Sequence, residues 1–446
     1  MAEATALPDG ALPNGVAELV PAYLGRQRWF AGKPPSAVTI RASTELSSEP
    51  RLLWAVATAD GADYQLLIGE RPVGELAEFL TGQESAVLGT AGSRYYYDAT
   101  VDPELSLRLL GVVTGRDEQP QVVRPVGAEQ SNTSLIFDDR VIVKIYRRLI
   151  AGPNPDVEVT EALASTGFTH VPEPVGVWKL DPWQLAFAEQ FLSGGAEGWA
   201  LALTSLRDLY NSGFTDPGEA GGDFAAEVSR LGRMTAELHL ALAATFGASH
   251  PPTEGPASFV ALVESVEARL RSLGPDLVAR SEGLLERLRA VRDPGMVVRV
   301  HSDYHLGQVM RTDSGWYVLD FEGEPARPRE ERLRPTSVFK DVAGMLRSLH
   351  YAARVALTEW TEEAAKLEPQ ARAWEQHNRD AFLRGYQSVH AVHELLPPLP
   401  EQDAVLTAYE LDKALYEAAY EQAYRPDWKA IPLEAVTRLV SHGVRQ

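Results

Sequence analysis

The sequence predicts an α+β protein of two lobes, the first rich in strands and the second helical, preceded by a small mixed N-terminal domain. Three observations predict it. Short β-type runs separated by turn residues fill the chain up to about residue 196. Apolar residues recur at helical spacing from about residue 197 onward. One polar segment, RVHSDYHLGQVMRTDSGWYVLDFEGEP (299–325), interrupts those helices with a strand–turn–strand pattern. At 446 residues the chain exceeds one ordinary core. The expected boundaries are 1–90 for the small N-terminal domain, 91–196 for the β-rich lobe with its hinge, and 197–446 for the helical lobe.

In order, residues 1 to about 15 read as a flexible tail of Ala, Pro and Gly. GVAELVPAYLGRQRWF reads as a short helix, and RLLWAVATADGADYQLLIGERP as two strands joined by an Asp-Gly turn. PVGELAEFLTG carries helical signals and precedes an aromatic patch, SRYYYDAT. QPQVVRPVG, TSLIFDD and RVIVKIYRRL outline an antiparallel meander. In NPDVEVTEALASTG, Asn154 and Pro155 open a helix as cap and first-turn residue. PVGVWKL and WQLAFAEQFL give two more strands, and SGGAEGW a linker or hinge. Amphipathic helices follow in DFAAEVSRLGRMTAELHLALAAT, FVALVESVEARLRSL and SEGLLERLRAVR. They resume through SVFKDVAGMLRSLHYAARVAL and AVLTAYELDKALYEAAYEQAYR.

Composition narrows the function. The formal charge of −20 argues against a nucleic-acid or anionic-membrane partner, and obliges any anionic ligand to find local positive charge or a metal. With no cysteine there is no disulfide, zinc thiolate or thiol nucleophile. The N-terminus lacks the basic and apolar regions of a signal peptide, and no apolar run approaches a membrane span, so the expected location is the cytoplasm.

The 299–325 segment holds more polar groups than a core strand can use, since each buried one needs a partner. Phosphoryl transfer can use them all. It needs a carboxylate beside the acceptor hydroxyl, to orient it and take its proton, and oxygen ligands for Mg²⁺. Asp303 fits the first role; Gln308 and Asp320, the latter at the end of the apolar run WYVLD, fit the second. Taken singly, Asp303 and His305 also suit a turn, and Asp320 a helix cap; the combination is far more specific.

The combination H-x-D, D-x-x-x-x-Q and D-F-E resembles the catalytic and metal-binding loops of eukaryotic-like kinases, whose small-molecule branch includes the aminoglycoside phosphotransferases. The resemblance implies a bilobal, protein-kinase-like fold and an upstream strand lysine. Lys144 in RVIVKIYR matches it, with Glu158 or Glu161 of the next helix as partner, Glu158 preferred. Ser131, Asn132, Thr133 and Ser134 would offer phosphate donors in place of a glycine cradle, a plain polar hairpin being the alternative. The hinge around Glu189, Gln190 and Phe191 would present backbone groups to adenine.

RQRWFAGK, VGAEQSNTS, HLGQV, DFEGEP, KDVAGMLRS and ELDKALYEAAYEQAYRPDW extend the resemblance to the bacterial maltokinase group, cap included. It implies an ATP- and Mg²⁺-dependent kinase acting on a small-molecule sugar. The sequence departs from the group in reading H-S-D-Y-H at 301–305, and is similar to actinobacterial homologues that phosphorylate glucosamine. Glucosamine to glucosamine 6-phosphate is therefore favoured, maltose to maltose 1-phosphate being the alternative. A catalytically inactive pseudokinase is the remaining class, against which Lys144, Asp303 and Asp320 count. Asp303, Tyr304 and His305 would face the sugar, with the helical stripe Glu410, Lys413, Glu417, Tyr420 and Glu421. A tyrosine suits a sugar because its ring covers C–H faces while its hydroxyl bonds outward. The alternative for that stripe is a solvated face with a Lys413–Glu417 pair.

Overall fold

The structure is a computed structural model that describes residues 12–30, 33–74, 78–127, 132–324 and 327–442. The chain divides into two compact units, one of residues 1–161 and 172–193, the other of residues 162–171 and 194–446.

The first unit opens with α1 (Val20–Leu24) and the strands β1 (Thr39–Ser48), β2 (Arg51–Ala59), β3 (Ala62–Pro72), β4 (Val87–Ala91) and β5 (Arg94–Asp98). The aromatic patch SRYYYDAT thus contains a strand, β5. Next comes α2 (Pro103–Thr114), a helix unanticipated from the sequence although its start is marked. Asp102 caps it by accepting from the amides of Glu104 and Leu105, and Pro103 fills the first position. Then follow β6 (Val123–Pro125), β7 (Asn132–Phe137), β8 (Val141–Tyr146), β9 (Arg148–Leu149), α3 (Pro155–Ser165), β10 (Pro174–Leu180) and β11 (Trp183–Gln190).

Two antiparallel sheets result. One runs β1-β2-β3-β5-β4 with β9 added to β3, and the other β10-β11-β8-β7-β6. Through β9 the first sheet borrows a strand from the chain that builds the second. The apolar run of β2 explains how they pack, because a strand buried on both faces needs no alternation. Leu53, Ala55 and Ala57 join Val20, Tyr23 and Phe30 on one face. Leu52, Trp54 and Val56 join Leu135, Phe137, Val143 and Phe187 on the other. Within that second interface Gln65 donates to the carbonyls of Tyr146 and Leu185 and accepts from Trp54 Nε1.

The second unit is helical. It comprises β12 (Ala196–Glu197), α4 (Gly198–Ser212), α5 (Ala225–Phe246), β13 (Ala248–Ser249), α6 (Phe259–Leu273), α7 (Pro275–Arg289), β14 (Val297–Val298), β15 (Val309–Thr312), β16 (Gly315–Val318), α8 (Arg329–Leu333), β17 (Thr336–Ser337), α9 (Phe339–Thr358), α10 (Ala364–Gln387), α11 (Leu399–Tyr424) and α12 (Ala430–His442). α5 and α10 approach closely through two glycines: a Cβ at Gly232 would stand 2.1 Å from the Phe382 carbonyl oxygen, and one at Gly385 2.0 Å from that of Ser229. α9 is buried along most of its length, so polar groups on it hold fixed positions for the loop above. Among the described residues no helix is long and apolar enough to cross a membrane.

Candidate active site

The turn between β14 and β15 carries the H-S-D-Y-H sequence. Ser302 adopts a positive φ of 71°, an unfavourable conformation for a side-chain-bearing residue that the surroundings must hold in place. Asp341, on α9 and 1% exposed, provides the anchor. Its two oxygens accept the amides of His301 at 2.8 Å and Ser302 at 2.9 Å. His239 Nε2 lies 3.3 Å from the same carboxylate and its Nδ1 is 2.8 Å from the Tyr386 hydroxyl, making it a packed histidine and not a ligand. Burial raises the Asp341 carboxyl, but these bonds outweigh it and the net shift is downward, so the anchor stays ionised. His301 accepts the Asp303 amide at Nδ1 and donates Nε2–H to the Leu319 carbonyl, which ties the turn to the end of β16.

Asp303 thereby projects into a cavity of about 470 Å³, lined in part by His305, Ser348 and Tyr351 and by α11. Lys413 Nζ lies 3.1 Å from Asp303 Oδ1 and 2.5 Å from Glu324 Oε1. Burial alone would push the Asp303 carboxyl up; the adjacent Lys413 ammonium overrides it and holds it at about 2. His305 is pushed down to about 4, chiefly by burial, so it is neutral at physiological pH.

The β15–β16 hairpin returns the chain so that Gln308 Nε2 donates to Asp320 Oδ2 at 3.2 Å. Asp320 has a positive φ of 61°, which turns the strand end. These two side chains offer an amide and a carboxylate oxygen in one place, a donor set that fits a hard divalent cation retaining waters and phosphate oxygens. Among the described residues no cluster of three or more His, Asp or Glu is arranged to hold a metal.

α11 presents Lys413, Tyr416, Glu417, Tyr420 and Glu421 to the cavity. Glu417 bonds Arg347 at 2.7 Å, and burial raises its carboxyl despite that partner. Glu421 Oε1 accepts from Arg425 at 2.8 Å and from Tyr351 at 3.3 Å; its Oε2 is buried without a partner. Two sequence expectations are corrected here. Tyr304 is 1% exposed and turns into the core, its hydroxyl 2.8 Å from Thr235 Oγ1, because its ring packs beside His301 behind the turn. Glu410 lies on the expected stripe, yet its carboxylate is 2.7 Å from Arg379 and outside the cavity lining. The sequence reading missed Glu197 and Trp199 at the start of α4, and Tyr351 on α9, all of which line the cavity. The only sequence signal was the pair itself, in SGGAEGW, read there as linker or hinge.

In the first unit, Lys144 Nζ is 2.8 Å from Asp156 and 2.8 Å from Glu189. Asp156, in the first turn of α3, stands where the sequence reading preferred Glu158; residues two apart in a helix project about 200° apart and do not share a face. Glu158 is half-buried on the same helix. The hinge expectation also changes. The Glu189 side chain faces Lys144, while the amides of Gln190 and Phe191 already donate to the carbonyls of Glu173 and Arg140. Ser134 lies opposite Lys144 across the β7–β8 ladder, and its hydroxyl is buried without a partner. Asn132 begins the same strand, half-buried. Thr133 points to the other face, its hydroxyl accepting from Arg147 Nε at 2.8 Å, and so is not a phosphate donor. Ser131 lies outside the described residues.

Residues 23–102 match the maltokinase N-terminal cap domain, and residues 122–323 the phosphotransferase enzyme family. Glucosamine kinase of Mycolicibacterium smegmatis is 31% identical over 337 residues, covering 72% of this chain and 80% of that protein. The chain belongs to this cap-bearing phosphotransferase family. Glucosamine kinase of Streptacidiphilus jiangxiensis is 29% identical over 341 residues, covering 72% and 74% of the two chains. A solved glucosamine kinase structure, in complex with glucosamine, ADP and inorganic phosphate, covers 96% of this chain and 100% of its own at 23% identity and a TM-score of 0.66, which shows a shared fold. The predicted α+β, kinase-like class with an N-terminal cap is thus the observed one. A member of this family is an ATP-dependent sugar kinase, and the Asp303 carboxylate lining the cavity suits that chemistry.

Proposed function

We propose that this kinase transfers the γ-phosphoryl group of ATP to the 6-hydroxyl of glucosamine, in the cytoplasm, where ATP is available. The observation that carries the amino-sugar reading is the lining of the cavity. Four carboxylates, of Glu197, Asp303, Glu417 and Glu421, face two cationic side chains, Lys413 and Arg425. Glu421 Oε2 is buried with no partner, a costly arrangement unless a ligand donor completes it. An ammonium does so better than a hydroxyl. Tyr416 and Tyr420, rings 6.3 Å apart, would cover the sugar's C–H face.

Asp303, ionised throughout the physiological range, accepts a hydrogen bond from the acceptor hydroxyl and so orients it. So weak a base takes the proton only as the O–P bond forms and the bond from phosphorus to the ADP oxygen breaks. Lys144 holds nucleotide phosphates, and Gln308 with Asp320 would hold Mg²⁺. When bound, that metal neutralises charge on the phosphates. Most of the rate enhancement then comes from positioning.

The test is Glu421→Gln, comparing kcat/KM for glucosamine and glucose. One charge-assisted bond is worth about 1.5–3 kcal/mol, so the preference for glucosamine should fall roughly ten- to hundredfold. An unchanged preference would remove the amine from Glu421.

A further inference from the structure

One buried cluster in the first unit plays no part in the chemistry above. Arg147, between β8 and β9, is 1% exposed. Its Nη2 lies 2.8 Å from Asp98 Oδ2 and 3.1 Å from Thr100 Oγ1, and its Nε donates to Thr133 Oγ1 at 2.8 Å. The Tyr23 hydroxyl donates to the same Asp98 carboxylate. The Trp29 ring covers the guanidinium at 5.3 Å. Tyr23, Trp29, Asp98 and Thr100 fall within the cap-domain match, whereas Thr133 and Arg147 fall within the phosphotransferase match. A single guanidinium therefore joins the cap to β7.

We propose that Arg147 is a positioning residue through which the cap sets the affinity of the adjoining nucleotide face for a nucleoside triphosphate. This rests on the ATP reading. The link is short. Side chains alternate along a strand, so gripping Thr133 from the cap side fixes the next residue, Ser134, on the opposite side. Ser134 is paired with Lys144, and its buried hydroxyl awaits a partner. Packing alone does not account for the cluster. Apolar side chains of similar volume often stabilise as much as a buried ion pair. Moreover Arg147 Nη1 is left buried without a partner, an expense that a purely stabilising contact would avoid. The planar fork of arginine has one property that apolar residues lack: it fixes direction, holding Asp98 with one nitrogen and Thr133 with another.

The test uses the full chain with Arg147→Lys, Thr133→Val, their combination, and Thr133→Ser. Lysine keeps a charge for Asp98 but loses the fork; valine keeps the shape of threonine but loses the hydroxyl; serine restores it. The readouts are the Kd for MgADP by calorimetry, and KM for ATP and for the sugar separately. Arg147→Lys and Thr133→Val should each weaken nucleotide binding about five- to twentyfold, with the sugar KM within about twofold of the native chain. The combination should be no worse than either alone, since one link is broken in both. Thr133→Ser should bind nearly as the native chain does.

Native affinity in Thr133→Val, or a combined effect equal to the product of the single effects, would overturn the proposal. Should Arg147→Lys fail to fold, Thr133→Val with its serine rescue decides alone. Absence of MgADP binding by the native chain would refute the ATP reading itself, a different failure from normal binding in every variant.

Discussion

Lys413→Met removes an ammonium while keeping most of the stem. In the native chain Lys413 lies between Asp303, whose side chain is 19% exposed, and Glu324, whose side chain is 1% exposed. Glu324 retains Arg327 as a second partner, so the change falls mainly on Asp303. There burial pushes the carboxyl up, and Lys413, with smaller help from His305 and His301, outweighs it and lowers the value from 3.8 to about 2. That difference is roughly 2.4 kcal/mol in favour of the carboxylate, at about 1.4 kcal/mol per unit. A carboxyl lowered on folding contributes stability that is present above its unfolded value and is lost as the pH falls through its folded one. The native contribution is therefore complete above about pH 4 and lost towards pH 2. Without Lys413, the upward push of burial is opposed by His305 and His301 alone among the named neighbours, and the Asp303 value should rise. Urea unfolding at pH 7 should show a loss of about 2–3 kcal/mol, a gap that closes below about pH 4. The acid limb of kcat/KM, absent for this group in the native enzyme above about pH 3, should move to higher pH in the variant. Superimposable pH–rate profiles and equal unfolding midpoints would refute the reasoning.

Two further substitutions separate chemistry from scaffolding. Asp303→Asn should lower kcat by roughly 10²–10⁴ while leaving the Kd for MgADP unchanged, measured by coupled assay and calorimetry. Asp341→Asn replaces one of the two oxygens that hold the His301 and Ser302 amides with an NH₂ group. It should cost about 1–3 kcal/mol in unfolding and lower kcat more than it changes either KM, because the turn carrying Asp303 loosens.

Much of the fold was legible because periodicity and turn chemistry agree. β2 and β3 are joined at Asp60-Gly61, and Asn154 accepts the Asp156 amide at the head of α3. α2 escaped notice since it lies among strands, although Asp102-Pro103 marks its start. Sequence order suggested Asp303, Gln308 and Asp320 in the second unit and Lys144 in the first as candidates, since each sits in a turn or strand whose local pattern is distinctive. Partners brought by long-range packing were not readable in the same way. Asp156 in place of Glu158 depends on how α3 is rotated against β8, and Glu197 on where α4 begins. Tyr304 failed for a related reason. Neighbours in a turn project to opposite sides, so adjacency to Asp303 sent its ring towards Thr235 and away from the cavity.

The measurement that tests the central claim most directly is sugar-dependent ADP release from MgATP, across glucosamine, glucose, N-acetylglucosamine, maltose and kanamycin. The account predicts strong turnover on glucosamine, weak turnover on glucose, and little on the others, with phosphate recovered on the 6-hydroxyl. Turnover on maltose in preference to glucosamine would contradict the amino-sugar reading. ADP release unaffected by any sugar would contradict the kinase assignment as a whole.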